Sequence, residues 1–323
     1  MTDSIQVADW IDVVDREYLS EFVNYGGSSV KFTVASENTR NDLCKALGTL
    51  SKQRNFQFVE LEATQCRVYM PQDIFFVIAK QMDWRSLARR VILRLLENES
   101  YTVDGIQTDQ LSANIIEQVA ENNNLGAQFV LSELRPILEQ NVFRNANMVG
   151  AFRIAMTHLC RMETQSVSSA SQDEYRGQPL LDWITGDNPR IGNVRDFQIN
   201  TIINRNTARY MIESALYWIR LAGYSGTVVH LDNARVTVTR NPQDGKKYYT
   251  KAMTMDHYEL LREFIDDIAN LSGLFLVVST DFEFVNDDSM RGWNIYSALR
   301  TRIMDDVRDK NIVNPVSSLV RIS

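Results

Sequence analysis

The chain has 323 residues, 44% hydrophobic and 23% charged, an ordinary globular composition that fits one large α/β domain or two modest ones. Its net charge of −7 argues against broad adhesion to nucleic acid and leaves room only for a local basic channel, within or between subunits. Three dispersed cysteines (Cys44, Cys66, Cys160), no apolar run of membrane-spanning length and an acidic start, Met1-Thr2-Asp3-Ser4, predict free thiols in a soluble cytoplasmic protein with no membrane association.

Residues 3 to 24 place Trp10, Val13, Val14, Tyr18, Leu19 and Phe22 at helical spacing, and Gly26-Gly27 ends the run. Val30 to Val34 alternates as a strand, Leu43, Ala46, Leu47 and Leu50 mark a helix, and Phe56 to Leu61 is a second strand. This is a βαβ-type unit, which predicts a parallel sheet with a right-handed crossover. From Pro71 to Glu99 the pattern is helical, with Ile74, Phe75, Ile78, Ala79 and Met82 continued by Trp84, Leu87, Ala88, Val91 and Leu95. Further helices follow over 107–165, broken near Asn122-Asn123-Asn124 and Asn145-Ala146-Asn147. The Ser-rich stretch 166–178 reads as an exposed loop, and Leu180 to Asn204 as irregular apart from a short helix at Leu181 to Trp183.

A second α/β run begins with a helix over Thr207 to Leu221, followed by a buried strand at 227–231. An excursion turns at Asn241-Pro242-Gln243-Asp244-Gly245. A helix over Thr250 to Ile268, a buried strand over Leu274 to Thr280 and a helix over Tyr296 to Val307 complete the run. With no repeat and no proline-rich linker, the economical reading is a single α/β domain over 1–323. Its parts are a helical lead-in (1–27), a helical insertion (70–165) and the second half of the core (205–310).

Gly226-Thr227-Val228-Val229-His230-Leu231-Asp232-Asn233 is the most informative stretch, because it delivers one carboxylate at the end of a buried strand. P-loop ATPases hold magnesium in that way. Ser279-Thr280-Asp281 closes another buried strand, where such folds place a polar residue sensing the γ-phosphate. Arg300 and Arg302 follow on the next helix, where a planar, permanently charged fork can meet a neighbouring subunit's phosphate. No G-x-x-x-x-G-K-[ST] occurs in the chain.

The order Gly26-Gly27-Ser28-Ser29-Val30-Lys31-Phe32, polar turn, helix, Asp232 strand, Thr280 strand and Ala298-Leu299-Arg300-Thr301-Arg302 resembles the ATP-binding domain family of BREX phage-defence systems. Local similarity extends to Ile74–Arg90 and Tyr258–Asp266. The resemblance implies an AAA+-like P-loop NTPase fold, a parallel sheet flanked by helices, binding ATP and magnesium. It also implies partners: further copies of the chain, other defence-system proteins and, through a complex, DNA. By the same resemblance the phosphate loop falls on Ala35 to Asp42, with Arg40, Asn41, Asp42 and Asp232 as nucleotide-binding positions and Asp232 as the magnesium ligand.

Here the chain departs from the pattern. Asn41 stands in place of the phosphate-reaching lysine, Asp42 in place of the magnesium-binding hydroxyl, and the loop's glycines are missing. Glu37 and Asp42 would face a polyanion, and Asn233 replaces the catalytic carboxylate. The departures predict a degenerate ATPase-like subunit, with a site holding either ATP and magnesium or no cofactor. The alternative is an active ATP-hydrolysing motor or switch whose site is completed in trans, and a third reading is a DNA-binding adaptor.

Other clusters have blander readings. His230 and Asp232 share a strand face but lack a third metal ligand. Asp287-Asp288 and Asp305-Asp306 with Asp309 read as solvated acids. Arg85, Arg89, Arg90 and Arg94 form a basic helix face expected to pair with Glu97 and Glu99, and Arg205 and Arg209 open a helix at a candidate subunit seam. Lys246-Lys247-Tyr248-Tyr249 sets cations beside rings, a local candidate for single-stranded nucleic acid.

Overall fold

The computed structural model describes residues 4–110, 114–165, 175–304 and 313–323. The chain divides into two units, Met1–Ile78 with Tyr224–Ser323, and Ala79–Gly223. The first opens with α1 (Val7–Val13), which widens into a π-helical segment over Val14–Phe22. There the Val23 N–H reaches back to the Tyr18 carbonyl, a five-residue span. Next come β1 (Ser29–Val34), α2 (Glu37–Gln53), β2 (Phe56–Glu62) and α3 (Pro71–Lys80). Ser36 starts α2 by accepting the Thr39 N–H (3.3 Å), and beyond its end Asn55 takes the left-handed conformation (φ 58°) that turns the chain into β2.

In the second unit α4 (Trp84–Asn98) is a separate helix from α3, because Asp83 accepts the Ser86 N–H (3.0 Å) and caps a fresh start. The helices α5 (Ile115–Asn122), α6 (Ala127–Leu138), α7 (Gly150–Glu163), α8 (Gln178–Thr185) and α9 (Ala208–Leu221) follow. The α4 arginines bond to groups other than the expected Glu97 and Glu99. Arg85 and Arg89 each contact the fully buried Glu163 carboxylate at 2.6 Å, and the Tyr175 hydroxyl donates to it at 2.7 Å. Arg90 and Arg94 donate to the carbonyls of Ala222 and Arg220 (3.0 and 3.1 Å), neutralising the negative end of α9. Burial opposes ionisation of Glu163, but the bonds from Arg85, Tyr175 and Arg89 outweigh it and hold its pKa below the usual carboxylate value.

The chain returns to the first unit with β3 (Gly226–Asp232), α10 (Lys251–Asp266), β4 (Leu274–Thr280), α11 (Ser297–Ile303) and β5 (Leu319–Arg321). Part of the Ser-rich loop, residues 166–174, and the acids Asp305, Asp306 and Asp309 lie outside the described residues. The helix expected to run to Val307 stops short, at Ile303, because Met304 already has extended backbone (φ −70°, ψ 122°).

The five strands form one parallel sheet in the order β2-β3-β4-β1-β5. The fold is therefore α/β, a parallel sheet flanked by helices, an architecture common to Rossmann-like and P-loop proteins. β1 and β2 are parallel, as a βαβ-type unit requires, but β3 and β4 lie between them. Those two central strands are apolar almost throughout because helices cover both their faces. On one face Trp10, Val14, Leu19, Leu43, Leu47 and Leu50 pack against Val228, Phe275 and Val277. On the other, Phe32 stacks on Phe284 (centroids 6.0 Å apart), which meets Tyr258 of α10 edge-on. Gly226 starts β3 where a Cβ would overlap the Gly273 carbonyl oxygen and press on the Phe56 ring, so no larger residue fits.

Candidate functional site

From β1 the chain crosses to β2 at one edge of the sheet, whereas from β4 it crosses past β1 to β5 at the other. The crevice outside the carboxyl ends of β1 and β4 is thus a topological switch point, where open parallel sheets bind ligands. Hydrogen bonds extend beyond the strands there. Ala35 N–H donates to Thr280 O (3.0 Å) and Asn233 N–H to Ser279 O (2.7 Å), fixing three strand ends side by side.

At this edge the chain brings together Arg40 and Asp232, 192 positions apart. Arg40 Nε lies 3.2 Å from both Asp232 carboxylate oxygens, and Nη1 donates to the Ala35 carbonyl (3.1 Å). The Arg40 side chain is 8% exposed and that of Asp232 25%. Asp232 Oδ1 also accepts the Ala234 N–H (3.0 Å). The connection from β1 to α2 is only Ala35-Ser36, so the segment expected as a phosphate loop is helical from Glu37 onward. Asn41 and Asp42 are exposed on α2, and Asp42 lies 3.8 Å from Lys45.

Asn233 is fully buried against His257 (2.7 Å), whose Nδ1 meets the Val68 carbonyl at 2.9 Å. Burial pushes the His257 pKa down to about 4, so the ring is neutral and its single N–H belongs on Nδ1, facing that carbonyl. Nε2 is then an acceptor, which requires the Asn233 amide NH2 to face it. Beneath α2, Thr33, Ser279 and His230 form a buried ladder across three strands, Thr33 Oγ1 to Ser279 Oγ at 2.8 Å and Ser279 Oγ to His230 Nε2 at 2.9 Å. Burial also pushes His230 down to about 4, and its Nδ1 has no partner among the described residues. A proton on Nε2 leaves only a bare lone pair there, the less costly arrangement.

Thr280 closes β4 fully buried, its hydroxyl without a partner among the described residues. Asp281 turns back to Thr237, whose hydroxyl lies 2.9 Å from Oδ2, and burial raises its pKa despite that bond and the charge of Arg40. Arg300 pairs with Asp287 (3.1 Å) and lies over the Trp293 ring, while Arg302 grips Asp266 with two bonds (2.7 and 3.0 Å). Arg209 pairs with Glu213 one helical turn away (3.2 Å). No group of three or more metal-competent side chains occurs among the described residues. No helix among them is long and apolar enough to cross a membrane.

Sequence reasoning put Arg40 and Asp232 in one site, but not in contact. Spacing gives no signal for a pair so far apart, beyond the oddity of an arginine on the first buried turn of α2. Asn41 and Asp42 stay outside the contact. His257 as the partner of Asn233 was not foreseen.

The family model described as BREX system ATP-binding protein BrxC/D matches residues 106–323, two-thirds of the chain. The chain belongs to that family. BREX membership ties it to an anti-phage defence system and to the other proteins of that system. The match takes in Asp232, Thr280, Arg300 and Arg302, whereas Arg40, Asn41 and Asp42 precede it. No curated protein and no solved structure gives a significant match.

Proposed function

We propose that this BrxC/D-family chain is a catalytically silent P-loop-type subunit, whose nucleotide crevice is closed by its own side chains and whose core serves assembly within a BREX defence complex. The Arg40–Asp232 contact carries the reading. An acid that closes this strand to hold magnesium must be open to the metal. Here a buried guanidinium already occupies it. The two-residue, glycine-free turn Ala35-Ser36 is too short to wrap phosphates in backbone N–H groups. Asn233, engaged with neutral His257, brings no base to activate water. The residues present therefore do not fit magnesium-bound ATP.

Assembly with further copies or other defence proteins fits the surface ion pairs of Arg300 and Arg302, which are 35% and 37% exposed and able to exchange partners at a seam. The competing reading, an ATPase completed in trans, draws on the orphaned Thr280 hydroxyl and the partly exposed Asp232. Calorimetry of ATP with magnesium against the purified chain, with phosphate release followed on the same sample, separates the two. Neither binding nor release is expected. Turnover that vanishes in Asp232→Ala would sink the silent-subunit reading.

A further inference from the structure

The excursion between β3 and α10 is charged against the grain of the molecule. In a chain of net charge −7, residues 240–250 and the first residue of α10 hold Arg240, Lys246, Lys247 and Lys251 and one acid, Asp244. That acid is spoken for: Arg235 grips both its oxygens (2.9 and 2.8 Å) and donates a third bond to the Lys247 carbonyl (2.6 Å). The four cations are exposed, and no ion pair engages any of them among the described residues.

The loop is also held in shape. Lys247 N–H donates to Thr64 O (3.0 Å), the Tyr248 hydroxyl to Thr239 O (2.9 Å), and buried Tyr249 places its hydroxyl 2.7 Å from Ala63 O and 2.6 Å from Cys66 O. Behind it lies Arg291, 8% exposed, whose guanidinium among the described residues has only long contacts, to Thr254 Oγ1 (3.4 Å) and the Tyr248 hydroxyl (3.5 Å). No carboxylate pairs with it among the described residues, and a buried cation without a counter-charge is costly unless an anion approaches.

We propose that this loop, with the start of α10, is a contact for single-stranded nucleic acid, with Arg240, Lys246, Lys247 and Lys251 meeting successive backbone phosphates and the half-buried Tyr248 ring stacking on a base. A preformed loop loses little conformational freedom on binding, and cations around a ring suit a strand that displays both phosphates and base faces. Duplex bases are stacked away from such a ring. The contact is independent of the closed crevice, since none of these side chains belongs to it.

The test is fluorescence anisotropy of the full chain with a labelled mixed-sequence single-stranded DNA, its duplex and poly-glutamate, across a salt series. Four phosphate contacts predict that affinity for the single strand falls about 50-fold between about 50 and 200 mM salt. The variant Arg240→Gln/Lys246→Gln/Lys247→Gln, altered only at exposed positions, should bind more weakly and lose only about three-fold over the same range. Its unchanged thermal melting would establish that the fold is intact. Three results would overturn the proposal: no binding at low salt, an unchanged salt slope in the variant, or duplex or poly-glutamate bound as tightly as the single strand.

Discussion

If the Arg40 guanidinium substitutes for a ligand at the switch-point crevice, its contact with Asp232 must contribute to stability. The clean perturbation is a double-mutant cycle of Arg40→Met and Asp232→Asn. Two oxygens at 3.2 Å, with side chains 8% and 25% exposed, describe a pair sheltered from water on the arginine side and partly screened on the other. A fully buried pair broken from one side costs about 3–5 kcal/mol, and an exposed one at most about 1 kcal/mol. This intermediate burial predicts a coupling energy of about 2 kcal/mol. Asp232→Asn leaves the more buried charge without its partner, and Arg40→Met also frees the Ala35 carbonyl, a contribution outside the pair that the cycle subtracts. Urea denaturation of the four proteins, read by tryptophan fluorescence, measures the cycle. Coupling below about 0.5 kcal/mol would place the pair among surface ion pairs and remove the main support for a self-filled crevice.

Glu163→Gln should destabilise by about 3 kcal/mol in the same assay, since it leaves Arg85 and Arg89 facing a neutral amide. Because the folded pKa of Glu163 is depressed, its contribution is present above its ordinary value of 4.5 and is lost as pH falls through the folded value; the variant's stability should fall less steeply there. His257 works in the same direction by a different route. Folded, it stays neutral down to about pH 4, whereas unfolded it takes up a proton near 6.5, so acid favours unfolding through that window. His257→Gln should flatten the decline in melting temperature between those pH values, and an unchanged slope would contradict a buried neutral ring. Burial pushes the Cys44 and Cys66 thiols up to about 12 and raises Cys160 as well, so none should react with a thiol reagent at pH 8 until denaturant is added. Labelling of the native chain at any of the three would refute that.

The strands at the centre of the sheet were legible because burial on both faces leaves a continuous apolar run entered from a glycine and closed by a polar residue, as at Gly226–Asp232 and Leu274–Thr280. Asp232 and Thr280 could be placed at strand ends for the same reason. Spacing cannot reveal which strands are neighbours, so the insertion of β3 and β4 between β1 and β2 was hidden. β5, three residues long, is too short for its alternation to register. The α3–α4 break was missed because the apolar stripe runs across Met82 and Trp84, and only the Asp83 cap reveals it. In the site, polar residues were foreseen and their partners were not. Arg40 read as a nucleotide-binding position until the fold set it on Asp232, and Glu163, the hub of the α4 arginines, lies 74 positions beyond Arg89.

The strand order also governs how this chain emerges from a ribosome. Thr33 of β1 meets its partner Ser279 across 246 positions, and the other neighbour, β5, follows later still. At roughly 5–20 residues per second, β1 waits on the order of 10–50 s with both edges unpaired. During that time its exposed ladder groups can recruit another nascent strand. Lys31, set between Phe32 and Val30 and buried only once the sheet closes, puts a charge in the middle of that waiting strand and opposes such pairing.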